Sequence, residues 1–164
     1  MLRNVLDVDF AAQKISISSR RGAIVLFGFK VAFPSLSHDY MWEVVVAIGL
    51  RACYVDALRL FYTGNKHWIR IGRCIFESVD VRSGVRQGCP LSPLQFVLCA
   101  DIVFRRIFLH SGAGELVRAF ADDTAVVVSD YTISFPCIGR AFLEYASISG
   151  LQLNVELLRR KDPT

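Results

Sequence analysis

Apolar residues fall in short blocks along the chain, and their spacing sets out a series of strands and helices. Ala23–Phe29 is an unbroken apolar run of strand length, which predicts a strand covered on both faces. Beyond Pro34, Ser35 or Ser37 is placed to cap a helix whose Tyr40, Met41, Val44, Val45 and Ile48 share one face, with Gly49 to stop it. Tyr54–Tyr62 predicts a second helix ending at Gly64 and Asn65. Trp68–Ile71 and Cys74–Val81 predict a hairpin about Gly72 and Arg73. Ser92 as cap and Pro93 in the first turn open a helix to about Leu109, apolar nearly all round and so expected to be central and buried. Leu116–Ala121 and Thr124–Val128 are separated only by Asp122 and Asp123, which is hairpin spacing. Ser134–Ile148 aligns Phe135, Ile138, Phe142 and Tyr145 before Gly150, and Leu151–Val155 reads as a last strand. Residues 1–22 are mixed and predict no element. This order argues for an α+β fold, an antiparallel sheet with helices packed on one face.

Composition narrows the class. The chain has 164 residues, 53% of them apolar and 21% charged, a formal net charge of +4, and a mean hydropathy of +0.40. Disorder is excluded, because disordered chains pair low hydrophobicity with high net charge. The longest apolar stretches, Ala23–Phe29 and Val44–Leu50, fall far short of the roughly 18–20 residues that span a bilayer, so no membrane partner is expected. Leu2–Phe10 carries Arg3, Asp7 and Asp9, so this stretch is not expected to be a secretory signal. Cys53, Cys74, Cys89, Cys99 and Cys137 are scattered and odd in number, which fits neither a disulfide framework nor a zinc ribbon. A reducing intracellular setting, nuclear or cytoplasmic, is expected. No repeat or linker divides the chain, and the mild basic excess permits a nucleic-acid partner without demanding one.

The chemistry concentrates at Phe120-Ala121-Asp122-Asp123. Two adjacent acids between apolar strands are unfavourable unless a cation compensates, and carboxylate oxygens of this kind suit Mg²⁺. Alone, such a pair is an ordinary turn. The upstream run Arg86-Gln87-Gly88-Cys89-Pro90-Leu91-Ser92-Pro93 changes that reading: Gly88 permits close backbone approach, and Gln87 can hydrogen-bond a sugar or base edge.

Together these runs resemble the reverse transcriptases of non-LTR, LINE-type retrotransposons. Gly84-Val85-Arg86-Gln87-Gly88-Cys89-Pro90-Leu91-Ser92-Pro93-Leu94 looks like the family's Gln-Gly…Ser-Pro motif. Phe120-Ala121-Asp122-Asp123 looks like its aromatic-x-Asp-Asp box, and Gly150-Leu151-Gln152-Leu153-Asn154 like the Gly-Leu-x-Leu-Asn segment that follows. Leu26-Phe27-Gly28-Phe29-Lys30-Val31-Ala32-Phe33 resembles the first palm motif, Asp-Phe-x-x-Ala-Phe. The four stand in the family's order, and ordered context is what makes short motifs specific.

The resemblance implies a polymerase palm in residues 23–157, preceded by a fingers-side segment in 1–22 and followed by a basic tail in 158–164. Most of the fingers and the thumb of the right-handed polymerase would be lacking. It implies RNA-templated DNA synthesis by two Mg²⁺ (or Mn²⁺) ions, with RNA template, DNA primer and dNTP as partners. Asp122 and Asp123 would be the catalytic acids and metal ligands. Phe33, Gln87, Gly88 and Phe120 would line the nucleotide and template pocket, Phe33 as the aromatic gate against a ribose 2′-hydroxyl.

The sequence departs from the family at the first motif, whose catalytic aspartate falls on Gly28. One principal metal ligand is therefore lost, and this copy is expected to be catalytically defective. A lysine of the family's last segment is replaced by Leu157, before Leu158-Arg159-Arg160-Lys161. The alternative is a non-catalytic palm that binds RNA or protein; a nucleotide cyclase palm would not carry the Gln-Gly…Ser-Pro motif. Val44–Leu50 and the helix from Ser92 would leave apolar faces uncovered, through which self-association is expected.

Overall fold

The computed structural model describes residues 2–18, 21–112, 115–120 and 123–154. The first element is a helix, α1 (Leu2–Ser18), in the segment where the sequence pattern predicts none. Then follow β1 (Ala23–Gly28), the one-turn α2 (Ala32–Ser35), α3 (His38–Ala47), α4 (Ala52–Tyr62), and the strands β2 (Lys66–Ile71) and β3 (Cys74–Asp80). α5 (Ser92–Leu109), β4 (Leu116–Phe120), β5 (Asp123–Val128) and α6 (Tyr131–Ser149) complete the order.

β1, β5 and β4 form an antiparallel sheet in the spatial order β1-β5-β4, while β2 and β3 pair as a separate hairpin. Strand alternation divides the main sheet into two faces. Val25 and Phe27 of β1, opposite Val126 and Thr124 of β5, face α5 and α6. There Phe27 packs on Phe142 with ring centroids 5.1 Å apart, and Phe96, Val103 and Ile107 of α5 are buried in the same core. Two buried hydroxyls, of Tyr40 and Tyr145, donate to the Cys99 carbonyl at 3.1 and 2.9 Å and tie α3 and α6 to α5. This is the palm-like α+β layout, antiparallel sheet against helices.

α1 lies across the other face. Asn4 Nδ2 donates to the Ala119 carbonyl at 3.3 Å and Asp7 pairs with Arg118 at 3.0 Å, while Ile15, near Gly22, is buried. The cover is partial: Ile24 and Leu26 of β1 remain 50% and 65% exposed. β1 is thus not covered on both faces as its apolar run predicts. The outward positions happen to be apolar, and periodicity cannot separate that case from a fully buried strand.

Local chemistry accounts for the remaining boundaries. Ser37 is the N-cap of α3, its Oγ accepting from the Tyr40 amide at 3.4 Å, and Gly49 follows with φ 83. Ile48 is exposed rather than part of the buried stripe of Tyr40, Met41, Val44 and Val45. In α5, Leu91 takes the N-cap position and Ser92 is the first helical residue. α5 also turns Leu94, Val97, Ile102, Phe108 and Leu109 outward, so it is one-sided and not buried all round. Phe135 of α6 is likewise exposed, whereas Ile138, Phe142 and Tyr145 are core. The expected last strand reduces to one antiparallel bridge, Leu153 to Phe29. Val155 and residues 158–164, expected as strand end and basic tail, lie outside the described residues. Among the described residues no helix is long and apolar enough to cross a membrane.

Candidate functional site

The site is built on the ends of three strands. β1 ends at Gly28, β4 at Phe120, and β5 begins at Asp123; in the ladder Asp123 is the partner of both Gly28 and Phe120. Because directly paired residues share a face, Gly28, Asp123 and Phe120 stand in one row across the sheet. Asp123 belongs to the strand, whereas the spacing of Asp122 and Asp123 predicts it between the strands. Ala121 and Asp122 lie outside the described residues, so the expected role of Asp122 does too.

Gly28 is buried, and its carbonyl accepts the Asn154 amide at 2.8 Å. Next to it the Lys30 amide donates to the Gln152 carbonyl at 2.7 Å, so the Gly150–Asn154 segment runs beside the first motif. Asp123 and Phe120 are exposed. Both line a cavity of about 460 Å³ with Val5 and Val8 of α1 and Leu26 and Ala125 of the sheet. The walls are apolar, and among these lining side chains Asp123 is the acid at the rim.

Past β1 the chain turns sharply. Val31 adopts a left-handed backbone (φ 49), a costly conformation for a β-branched residue, and launches α2. Phe33 on α2 is half-buried, its ring centroid 4.7 Å from that of Phe96. The Gln-Gly loop docks onto this turn: Val85 N donates to the Phe33 carbonyl at 2.8 Å and Gly84 N to the Leu36 carbonyl at 2.7 Å. A His38 ring nitrogen lies 2.8 Å from the Gly84 carbonyl.

Two motif glycines clamp the same stretch. A Cβ on Gly84 (φ 89) would sit 2.8 Å from the Pro34 Cα and carbonyl oxygen, and one on Gly150 (φ 77) 2.6 Å from the Ser35 carbonyl oxygen. Only glycine meets both the left-handed backbone and that approach.

The predicted site residues thus fall into two groups. Gly28, Phe120 and Asp123 meet at the sheet end. Gln87 and Gly88 are exposed in a turn before α5, and Gln87 lines a different cavity, with Tyr62, Asn65, Lys66 and Arg86. Phe33 joins the Gln87 loop through the Val85 bond. Burial pushes the Cys99 thiol up to about 12, so this core cysteine is an inert packing residue. The Asn154 contact with Gly28 and the Arg86 to Asn65 hydrogen bond at 2.5 Å carry no predicted role; both join segments distant in sequence.

A three-stranded antiparallel sheet with an acid at the strand ends, backed by two long helices, defines the palm of a nucleic-acid polymerase. The family model described as reverse transcriptase (RNA-dependent DNA polymerase) matches residues 2–156, and the chain belongs to that family. It is 32% identical over 130 residues to the retrovirus-related Pol polyprotein from the type-2 retrotransposable element R2DM of Drosophila melanogaster. That match takes in 76% of this chain and 12% of the relative. The corresponding polyprotein from a type-1 retrotransposable element R2 of Popillia japonica is 24% identical over 162 residues, covering 94% of this chain and 27% of its own length. The chain therefore spans about an eighth and about a quarter of these curated relatives, and its kinship is with the non-LTR retrotransposon type. The fold is shared with apo telomerase from Candida tropicalis, truncated from its C-terminal domain. There the TM-score is 0.68 at 14% identity, over 93% of this chain and 32% of that one.

Proposed function

We propose that this chain is a reverse transcriptase palm that engages template and primer but does not carry out nucleotidyl transfer. The observation behind this reading is Gly28, at the place of the first-motif acid and paired across the ladder with Asp123. The resemblance implies two Mg²⁺ ions held by the first-motif acid together with Asp122, with Asp123 as its neighbour. Here Gly28 offers no side chain, and its carbonyl already accepts the Asn154 amide. Among the described residues the donors at this row do not fit a two-ion site, so no chemical step is assigned to it. Losing one bridging carboxylate removes about 4 kcal/mol of transition-state stabilisation, roughly a thousandfold in rate.

What the remaining residues retain is a binding role. Gln87, exposed on a loop anchored to α2, can hydrogen-bond a sugar or base edge, with Gly88 beside it leaving the backbone open. Phe33, backed by Phe96, presents a rigid aromatic edge near that loop. The test is binding of an RNA template annealed to a DNA primer, followed by fluorescence anisotropy across a salt series. Binding that weakens linearly with the logarithm of salt concentration and drops several-fold in Gln87→Ala supports the reading. Absence of binding at low salt refutes it.

A further inference from the structure

Among the described side chains, the β2–β3 hairpin adds none to the core, and all six residues of β2 are exposed. Its sequence is nonetheless not that of an idle loop. Between Asn65 and Gln87 the chain places Lys66, Arg70, Arg73, Arg82 and Arg86 against only Glu77 and Asp80, much of the +4 of the whole protein. Within this basic stretch Trp68 is 62% exposed.

Pairing sorts the hairpin into two faces. Trp68 stands opposite Glu77 and Arg70 opposite Ile75, so Trp68 and Arg70, two residues apart on one strand, share a face. Lys66 forms an ion pair with Glu77, which neutralises the acid facing Trp68 and leaves Arg70 as that face's net charge, with Arg73 in the adjoining turn. The Arg70 Nε–H donates to the Gly72 carbonyl at 3.2 Å, which braces its guanidinium along the strand. Ile69 and Phe76, paired with each other, occupy the opposite face.

The root of the hairpin is joined to the Gln-Gly loop. Val81 N donates to the Asn65 carbonyl at 3.0 Å, and the Asn65 side chain accepts from Arg86 at 2.5 Å. A cavity of about 460 Å³ opens between them, lined by Tyr62, Asn65, Lys66, His67, Arg86 and Gln87. Lys66 and His67, at the start of β2, thus line the same cavity as Gln87, two residues and one residue before Trp68.

We propose that the Trp68–Arg70 face of this hairpin, continuing from the Gln87 cavity, is a binding track for single-stranded RNA. The proposal rests on the reading of the chain as a template-binding palm and extends it to a surface outside the motifs. An exposed indole flanked by guanidinium and ammonium groups suits unpaired bases: every base has a π-face to stack, and the cations follow the phosphates without reading sequence. The hairpin is thus a stacking platform, and it binds a strand unpaired at this point; a duplex keeps its base faces covered.

The experiment measures the affinity of the full chain for a short fluorescein-labelled single-stranded RNA of mixed sequence. Trp68→Ala is expected to weaken binding about five- to a hundredfold, the range of one base stack, while Trp68→Phe stays within a few-fold of the parent. Arg70→Ala and Arg73→Ala each lower the slope of log affinity against log salt by about one. Phe76→Ala, on the opposite face, leaves RNA affinity unchanged. All these positions are exposed, and circular dichroism of each variant checks that the fold is intact. RNA binding that is indifferent to Trp68, or equally sensitive to Phe76, overturns the hairpin track while leaving the palm reading standing. A parent chain that binds no RNA at low salt overturns both.

Discussion

Gly28 and Asp123 are directly paired in the β1–β5 ladder, and the Gly28 carbonyl is occupied by the Asn154 amide. The row across the sheet end thus offers Asp123 as a carboxylate and nothing from β1 to share a cation with it. Gly28 is the last residue of a regular antiparallel strand, without a positive φ, so the backbone there accepts an L side chain.

That geometry gives a first prediction. In Gly28→Asp, a second carboxylate would stand beside that of Asp123 across the ladder. Without divalent cations the substitution should destabilise the fold by about 1–3 kcal/mol, through desolvation and like-charge repulsion. Millimolar Mg²⁺ should then restore much of the loss in the variant and leave the parent unchanged, because a cation bound only to the folded state stabilises it by mass action. Thermal unfolding with and without Mg²⁺ reads both effects; equal responses from the two proteins would show that this row is not a cation position.

The clamp on Pro34 and Ser35 gives a second. Gly84→Ala and Gly150→Ala each combine a left-handed backbone with a Cβ placed under 3.0 Å from main-chain atoms of that segment. Main chain cannot swing aside as a side chain can, so each substitution should cost about 2–4 kcal/mol, more than strain at φ alone. Urea unfolding checks the magnitude. Exposed Gly72 at the β2–β3 turn, with nothing near its Cβ position, should lose only about 1 kcal/mol when replaced by alanine.

Much of this arrangement is legible in the sequence. The extent of α5, the presence of both hairpins, the Ser37 cap and the Gly150 stop follow from local spacing and capping chemistry, although the α5 cap is Leu91 and Asp123 belongs to β5. α1 is not legible, because Leu6, Phe10 and Ile17 point outward and break its stripe; what holds it are contacts such as Asp7 to Arg118, across the length of the chain. The one-sided exposure of β1 and α5 is hidden for a related reason, since apolar residues at outward positions imitate burial. At the site, motif order is readable, as is a glycine at position 28 where the resemblance implies an acid. The pairing of Gly28 with Asp123, the Gly84 and Gly150 clamp, and the bridge from Arg86 to Asn65 exist only once the chain has folded.

Glu115 gives a third prediction, on pH. Burial would raise its carboxyl, but hydrogen bonds from the Gly112 and Ser129 amides and the Ser134 and Ser129 hydroxyls outweigh that and hold it below the ordinary glutamate value. A carboxyl depressed in the folded state contributes stability above its unfolded pKa of about 4.3, and that contribution is lost as pH falls through the folded value. Glu115→Gln should therefore lower stability at neutral pH by about 1 kcal/mol, the side chain being only partly buried, and flatten the acid limb of the stability curve. Unfolding midpoints from neutral pH down to the acid transition test this; parallel curves for parent and variant would contradict it.

Whether the chain transfers nucleotides is read out by primer extension. The chain is supplied with an RNA template, an annealed DNA primer, dNTPs and either Mg²⁺ or Mn²⁺, and product is resolved at single-nucleotide length. No extended primer is expected with the parent chain under either ion, because Gly28 supplies no carboxylate opposite Asp123. Robust, template-directed extension by the unsubstituted chain would contradict it.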